Sequence, residues 1–309
     1  MVRVPLEQRF PGFPVAPTLS APQNRPMSKW KIAAVQTGCR FADVPANREM
    51  IRAKARQAAS QGAQLVVFPE CILSGYGFES LAEAMPHAET LPGPTTDQIA
   101  EDCRELGVWC VFGLLELDGD RLFNSCALVG PNGFEASYRK IHLPILGVDR
   151  FTTPGDRPFA VHDLGGLKIG MNICYDGSFP ESSRVLALLG ADLILLPTNW
   201  PSGARPMVLP LTTARAIENH VYYAAANRTG EERGFTYIGA SRVVDFNGRV
   251  MVSAGDEPEA IVEATIEPEL ARDKQVVIEA GKFIVNRVGH RRPEMYGPLL
   301  AASEFDRPQ

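Results

Sequence analysis

The stretch from Leu167 to Arg184 reads LKIGMNICYDGSFPESSR and is the part of the chain that decides the fold. An apolar run over 168–173 has the length and β-branched content of a short buried strand, and it leads into Cys174. Pro180 stands where proline favours the first turn of a helix, and Ser178 is predicted to cap that helix. The pattern therefore predicts a strand, a tight turn and a helix, with Cys174 at the turn.

A cysteine at such a turn has two interpretations. Unpaired backbone N–H groups and the positive end of a helix dipole stabilise a thiolate and an oxyanion that forms beside it. On that ground Cys174 is a candidate nucleophile. Most free cysteines are instead small buried apolar residues, and this stretch alone leaves both interpretations open.

The composition is that of a soluble globular protein. The 309 residues are 45% apolar and 22% charged, enough for a substantial core in a single domain. A net charge of −5 without a basic run argues against a nucleic-acid partner. The six cysteines lack CxxC spacing, which predicts reduced thiols and a cytoplasmic location. No apolar segment predicts a membrane span or a signal peptide, so no membrane partner is expected.

Both ends of the chain differ in composition from its middle. Residues 1–28 are Pro-rich and predict an N-terminal extension. Met27 stands just before the first strand-like run, so the upstream residues are expected to be a dispensable arm or to precede the natural start. Residues 29–280 are predicted to form the globular domain. Residues 281–309 are polar and Pro-rich, and they predict a tail that packs at a subunit interface.

Strand-like and helix-like segments alternate along the domain. Predicted strands cover 31–36, 64–68, 109–117, 122–129, 133–138, 168–173, 192–196 and 221–226, and predicted helices cover 47–61, 95–106 and 212–220. Turn signals at 131–133 and 245–248 predict hairpins among these units. The pattern favours an α/β domain of mixed, largely buried sheets with helices outside.

Three reactive side chains share one kind of position. Glu70, Lys140 and Cys174 each stand just beyond a strand-like run, and the crevice at strand ends is where sites assemble in α/β folds. A buried carboxylate can take a proton from a thiol, and a nearby ammonium can stabilise the oxygen of a tetrahedral intermediate. Taken singly, such a glutamate is more often a surface ion pair and such a lysine is more often solvated.

The three residues lie in segments that belong to a known pattern. The sequences VVFPECILSGY (66–76), YRKIHLP (138–144) and MNICYDGSFPE (171–181), in this order, resemble the nitrilase superfamily of carbon–nitrogen hydrolases. The resemblance implies a four-layer αββα sandwich and a Glu-Lys-Cys triad at Glu70, Lys140 and Cys174. It also implies a homodimer or a higher homo-oligomer.

One feature departs from the family pattern. Many members carry a second glutamate in the loop after the lysine, whereas Asp149 is the only carboxylate in the loop 141–154 of this chain. Asp149 either substitutes for that glutamate with a shorter reach or pairs with Arg150 or Arg157 and has no part in catalysis. The sequence leaves both possibilities open.

The resemblance implies a mechanism without a metal or an organic cofactor. Glu70 accepts the proton of Cys174, the thiolate attacks an amide carbonyl, and Lys140 with the backbone N–H of Tyr175 stabilises the oxyanion. Cys-Tyr-Asp followed by Phe-Pro-Glu is similar to the amidase and carbamoylase branches. The sequence therefore predicts hydrolysis of a small carboxamide, with N-carbamoyl hydrolysis as the second choice and nitrile hydrolysis as the third.

Two alternatives come from other functional classes. A Cys-His protease needs a histidine near Cys174, and the candidates are His142, His162 and His220. We expect His162 and His220 to be structural and His142 to line the mouth of the site. An inactive interaction scaffold is disfavoured because all three reactive groups are present.

Further residues are predicted from their places near strand ends. The expected substrate-binding residues are Tyr76, His142, Tyr175, Asn199 and Trp200. The residues expected to form buried ion pairs are Glu181, Arg184, Glu218 and Arg228.

Overall fold

A computed structural model describes residues 27–301. Most of the predicted N-terminal extension (1–28) and residues 302–309 of the predicted tail lie outside the described residues. The strands are β1 (Trp30–Gln36), β2 (Leu65–Val67), β3 (Trp109–Asp118), β4 (Arg121–Gly130), β5 (Gly133–Arg139), β6 (Val161–Asp163), β7 (Lys168–Met171), β8 (Leu193–Thr198), β9 (Tyr222–Asn227), β10 (Thr229–Glu232), β11 (Phe235–Ile238), β12 (Arg242–Val244), β13 (Val250–Ser253), β14 (Ala260–Ile266), β15 (Val276–Glu279) and β16 (Phe283–Val285). The α-helices are α1 (Val44–Ser60), α2 (Leu81–Ala84), α3 (Pro94–Leu106), α4 (Pro180–Leu188), α5 (Arg205–Asn219) and α6 (Pro268–Arg272).

Most of these strands form two six-stranded sheets of similar design. The first has the order β14-β1-β2-β3-β4-β5 and the second the order β13-β12-β9-β8-β7-β6. In the first sheet β1, β2 and β3 are parallel, and in the second β7, β8 and β9 are parallel. Antiparallel strands flank each parallel centre. The predicted mixture of parallel units and hairpins is confirmed.

The two sheets pack face to face with helices on their outer sides. Between the sheets lies one apolar cluster to which both contribute, for example Ile32 and Leu65 from the first and Ile169 and Leu193 from the second. A second cluster packs α1 and α3 against the first sheet. A third packs α4 and α5 against the second sheet. The predicted αββα sandwich is therefore confirmed.

A glycine in β3 determines where the segment after β2 runs. The N–H of Gly113 donates to the carbonyl of Pro69 at 3.1 Å, and its own carbonyl accepts from Leu73 at 3.3 Å. A Cβ at Gly113 would lie 2.4 Å from the backbone nitrogen of Cys71 and 2.6 Å from the Cα of Glu70. Only glycine allows this close approach, which seats Glu70 directly on the neighbouring strand.

Some element boundaries differ from the sequence-based prediction. Helix α5 begins at Arg205 rather than at residue 212, since Pro206 lies in the first turn, where no backbone N–H is needed, and Pro210 is tolerated inside the helix. The prediction that Ser178 caps α4 was wrong: Phe179 precedes Pro180 and no side chain caps the helix. The strand predicted over 168–173 ends at Met171.

The predicted tail is described as far as residue 301. It includes β16 and two short 3₁₀ turns, Pro293–Met295 and Gly297–Leu300, which carry strongly exposed apolar side chains. Its place at a subunit interface stays a prediction. Among residues 27–301, no helix has the length and apolar content that crossing a bilayer requires.

Candidate active site

Cys174 lies at a strained turn between β7 and α4. It begins the short 3₁₀ helix Cys174–Ser178 and has a φ of 43°, in the left-handed region that non-glycine residues seldom adopt. Such a conformation costs on the order of 1–3 kcal/mol and persists only where the surroundings enforce it. The N–H of Tyr175 is among the first of this helical turn, which have no partner within the turn. The turn thus presents a thiol beside an available backbone donor.

The carboxylate of Asp176 connects this turn to the segment that carries Lys140. Its Oδ2 accepts the N–H of Ile173 at 3.0 Å and the hydroxyl of Tyr138 at 2.8 Å. Its Oδ1 accepts the backbone N–H of His142 at 3.1 Å and lies 2.7 Å from Nδ1 of the same residue. Tyr138 and His142 stand two residues before and after Lys140. One fully buried side chain therefore fixes the lysine segment against the cysteine turn.

Lys140 forms the centre of a buried charge cluster. Its Nζ donates to Oε1 of Glu70 at 2.6 Å and to Oδ2 of Asp149 at 2.5 Å, and none of the three side chains reaches solvent. Burial alone would lower the pKa of Lys140, but the charges of Asp149 and Glu70 outweigh it and raise the pKa well above its usual value. Lys140 is consequently an ammonium over the whole neutral range.

Asn124 holds the two carboxylates in place. Its Nδ2 donates to Oε1 of Glu70 at 2.7 Å and to Oδ1 of Asp149 at 2.9 Å. Among the described residues, Oε2 of Glu70 is buried and has no hydrogen-bond partner. Burial raises the pKa of Glu70, and although Lys140 acts against it the pKa remains above its usual value. Oε2 is therefore a ready acceptor for a proton.

The thiol of Cys174 faces the same charge cluster. Burial and the charge of Glu70 raise its pKa to about 12. Lys140, the hydroxyl of Thr198 and the backbone N–H of Asn199 act in the opposite direction. The resting site thus contains a neutral thiol beside a proton acceptor and a fixed ammonium. Glu70 and Lys140 thus form an ion pair whose two charges both act on the thiol of Cys174. That the three residues form a catalytic triad stays a prediction.

Asp149 pairs with Lys140, and whether it takes part in catalysis stays a prediction. The hydroxyl of Tyr76 donates to Oδ2 of Asp149 at 2.8 Å. Arg150 donates to the carbonyls of Gly147 and Phe78. Arg157 lies in the exposed part of the loop, where it donates to the hydroxyl of Ser137.

Tyr76 belongs to a loop that a second buried ion pair supports. The carboxylate of Glu232 accepts the backbone N–H groups of Tyr76 and Gly77, each at 2.8 Å. Glu232 also pairs with Arg228 at 2.6 Å, so the prediction of a buried ion pair at Arg228 is confirmed. Burial would raise the pKa of Glu232, but the hydrogen bond and charge of Arg228 lower it. The carboxylate thus stays ionised and anchors the loop.

The other predicted ion pairs are of a different kind. Glu218 pairs with Arg215 at 2.8 Å and is only partly buried. Arg184 donates to the backbone carbonyl of Glu218 at 2.7 Å rather than to a carboxylate. Glu181 is exposed because the first turn of α4 points it towards solvent. The prediction of buried ion pairs was therefore wrong for Glu181 and Arg184.

The predicted substrate-binding residues have different surroundings. Tyr76, Asn199 and Trp200 are buried, whereas 40% of Tyr175 is exposed. His142 stacks on Phe179, with ring centroids 3.7 Å apart. Among the described residues, neither polar atom of the Asn199 side chain has a hydrogen-bond partner. Of this set, Trp200 lines a small cavity under α5, and Cys174 forms part of the wall of the same cavity.

Sequence reasoning missed Asn124, Asp176 and Thr198. Asn124 interrupts an otherwise apolar run in β4, and a polar side chain at such a position signals a buried hydrogen-bonding role. Asp176 and Thr198 lacked a comparable signal, because their partners lie far apart in sequence. Within residues 27–301, no group of three or more histidine, cysteine or acidic side chains is arranged to hold a metal ion.

Comparisons with known proteins agree with this geometry. A family model described as carbon–nitrogen hydrolase matches residues 31–275. A protein named nitrilase from Pyrococcus abyssi is 41% identical over 247 residues, covering 80% of this chain and 93% of the relative. The omega-amidase NIT2 of Homo sapiens is 35% identical over 237 residues, covering 72% of this chain and 83% of the relative.

Solved structures of an amidase from Nesterenkonia sp. AN1 are similar as well. One carries the acetamide moiety of fluoroacetamide on the active-site cysteine; it has a TM-score of 0.71 and 26% identity and covers 88% of this chain and 97% of the amidase. Another is a cysteine-to-alanine variant in complex with butyramide. Its TM-score is 0.67 at 28% identity, covering 79% of this chain and 93% of the amidase.

Proposed function

Because the chain belongs to the carbon–nitrogen hydrolase family, we propose that it is an amidase, which hydrolyses a small linear carboxamide to a carboxylate and ammonia. One observation carries the proposal: the charges of Glu70 and Lys140 both act on the Cys174 thiol, and Oε2 of Glu70 has no hydrogen-bond partner among the described residues. These are the acceptor, the counter-charge and the nucleophile that cleavage of an amide through a thioester needs.

In the first half of the proposed reaction, Glu70 takes the thiol proton on Oε2 while Sγ of Cys174 attacks the amide carbon. The carbonyl π electrons move to oxygen, and Lys140 with the backbone N–H of Tyr175 stabilises the oxyanion. Glu70 then returns the proton to the amide nitrogen, the C–N bond breaks, and ammonia leaves. A thioester remains on Cys174.

In the second half, Glu70 takes a proton from water and the hydroxide equivalent attacks the thioester carbon. The C–S bond breaks, the thiolate of Cys174 recovers the proton from Glu70, and the carboxylic acid leaves. Splitting one hard acyl transfer into two steps lowers each barrier. Because Glu70 and Asp149 hold Lys140 before substrate binds, its charge needs little reorganisation in either step.

The nature of the products tests the proposal. We expect the purified protein to release ammonia from a primary amide without carbon dioxide and without turnover of the matched nitrile. Ammonia and carbon dioxide are to be measured for an amide, an N-carbamoyl amino acid and a nitrile of equal acyl length. Carbon dioxide release would favour the carbamoyl alternative. Turnover of the nitrile alone would favour the activity named for the Pyrococcus abyssi relative.

We propose further that Asp149 is part of the site as the second counter-ion of Lys140. The variant Asp149→Asn keeps the side-chain volume but removes one of the two buried negative charges on the ammonium and one acceptor of Tyr76. We expect kcat to fall about 10- to 100-fold, since positioned ionic hydrogen bonds contribute about 1.5–3 kcal/mol. Steady-state kinetics with one amide measures the effect.

The matched control for this variant is Asp156→Asn, in the same connection between β5 and β6. Asp156 pairs with Arg139 at 2.9 Å and is partly exposed, so its replacement removes an ion pair that lies outside the Lys140 cluster. Wild-type kcat in Asp149→Asn would remove Asp149 from the mechanism.

A further inference from the structure

The imidazole of His142 is held on two sides beside the cysteine turn (Cys174–Ser178). Its Nδ1 lies 2.7 Å from Oδ1 of Asp176, and because a carboxylate only accepts hydrogen bonds, Nδ1 carries the hydrogen and donates it. One face of the ring stacks on Phe179, with the two planes 8° apart. The ring therefore has a fixed orientation although part of the side chain is exposed.

Both contacts of the ring are made with the chain around the proposed oxyanion donor. Asp176 lies in the cysteine turn directly after Tyr175, and Phe179 follows the end of the turn. The ring of Tyr175 in turn meets the ring of Phe179 edge-on, with centroids 5.1 Å apart. The backbone N–H of Tyr175 thus belongs to a short segment that His142 contacts at Asp176 and at Phe179.

His142 also lies close in sequence to the second proposed donor, since it follows Lys140 by two residues. Its backbone N–H donates to the same Oδ1 of Asp176 at 3.1 Å, so the backbone and the ring of one residue bind one carboxylate oxygen. Lys140 follows β5 of the first sheet, whereas the cysteine turn follows β7 of the second. The contact therefore joins the segments that carry the two donors.

The side of the cysteine turn that faces α4 and α5 has contacts of its own. Arg215 of α5 donates to the carbonyls of Gly177 and Ser178, each at 3.0 Å. Ser182 of α4 donates to the carbonyl of Asp176 at 2.7 Å. Loss of the imidazole therefore leaves the turn attached to both helices and weakens its attachment only on the side of the lysine segment.

We propose that His142 is a positioning residue, whose hydrogen bond from Nδ1 to Asp176 aligns Nζ of Lys140 and the N–H of Tyr175 on one oxyanion. This inference rests on the proposed function, since it assumes that an oxyanion forms beside Cys174. The hydrogen bond rather than the ring stack carries the effect, because a bond to a buried carboxylate stabilises more than a partly exposed aromatic pair.

Three variants separate the hydrogen bond from the ring. His142→Phe keeps a ring against Phe179 but lacks the donor, and His142→Leu lacks both. His142→Asn lacks the ring but places an amide N–H where Nδ1 stood. We expect kcat for a primary amide to fall at least about tenfold in the two variants without the donor, with KM changed less than about threefold. His142→Asn should stay within about threefold of the wild type.

Two probes of Cys174 locate the effect at the oxyanion. Propionaldehyde forms an Sγ–C bond, its carbonyl π electrons move to oxygen, and Glu70 takes the thiol proton, so its apparent Kd reports on the oxyanion donors. S-methyl methanethiosulfonate transfers a methylthio group to Sγ and releases methanesulfinate, so no carbonyl oxygen takes part. Without the donor, we expect the calorimetric Kd of propionaldehyde to rise at least about tenfold. The rate of methylthio transfer, followed by peptide mass, should change less than about threefold.

His87 offers the matched control. It is also a partly exposed histidine stacked on a phenylalanine, with the ring centroids of His87 and Phe78 5.7 Å apart. His87→Phe and His87→Asn should leave turnover, propionaldehyde binding and methylthio transfer unchanged. A thermal unfolding curve for each variant checks that it is folded.

The outcomes separate this inference from the proposed function. An unchanged Kd of propionaldehyde in the variants without the donor would overturn this inference alone. Equal losses in propionaldehyde binding and methylthio transfer, equal losses in His142→Asn and His142→Phe, or failure of both donor-free variants to fold would do the same. If the wild type released no ammonia from any amide and bound propionaldehyde no better than Cys174→Ala, both the proposed function and this inference would fall.

Discussion

Replacing Cys174 by alanine is expected to lower kcat for amide hydrolysis by at least about 10⁴-fold, to the background of the assay. Without the sulfur no thioester forms, and water must attack the amide directly. Ammonia release by the purified variant measures the loss. A thermal unfolding curve checks that the variant is folded, since alanine occupies the same turn with one atom fewer.

Cys39→Ala is the matched control. Cys39 is also partly exposed, and burial raises the pKa of its thiol to about 12, as it does for Cys174. The pKa therefore does not distinguish the two thiols. The neighbouring charges do, because Glu70 and Lys140 act on Cys174, whereas Arg228 and Glu232 act on Cys39. Trapping with an amide substrate should add the acyl mass to Cys174 and not to Cys39. Full activity in Cys174→Ala, or an adduct on another cysteine, would contradict the mechanism.

The second large effect is expected for Glu70→Gln, which should reduce kcat/KM about 10³-fold. Glutamine has the same shape and can still accept hydrogen bonds from Asn124 and Lys140, but it cannot take a proton from the thiol. In the wild-type protein Glu70 must be ionised to act. Since burial raises its pKa, kcat/KM should fall as the pH drops through a value above the usual 4.5.

The same variant should change the thiol in the opposite direction. The negative charge of Glu70 is one cause of the high pKa of Cys174, so its removal should lower that pKa from about 12. The pH midpoint of Cys174 alkylation by a small neutral reagent measures the shift. Glu79→Gln, an exposed glutamate further along the same loop, should leave both turnover and midpoint unchanged. A midpoint that rises in Glu70→Gln would refute the assigned charge interaction.

Sequence patterns predicted the parts of this molecule that depend on local residues. The apolar runs before Glu70, Lys140 and Cys174 indicated strands that end near one cleft, and the hairpin at 131–133 indicated the antiparallel strands of the first sheet. The predicted start of α5 at residue 212 was wrong, since the helix includes Pro210 and its packing on the second sheet overrides the low helix propensity of proline.

The contacts that support the site could not be predicted from the sequence, and the reason is physical. Asn124 meets Glu70 and Asp149 only because β4 lies between β3 and β5, which no single strand pattern reveals. Asp176 binds Tyr138 and His142, which lie two residues before and after Lys140 and are 38 and 34 positions away from Asp176 in the chain. Arg215 reaches the carbonyl of Gly177 only because α5 packs against the cysteine turn. Such contacts form only when the sheets and helices of the sandwich pack together.

The glycine at position 113 limits how this scaffold can be redesigned. Because the backbone of Glu70 rests on β3 without an intervening side chain, the acid cannot be shifted by remodelling its own loop. Any library that alters the first sheet near this residue would mostly yield inactive clones. Helix α5, in contrast, is joined to the cysteine turn through the side chain of Arg215, which donates to the carbonyls of Gly177 and Ser178. Variation in that helix is therefore best confined to its other positions.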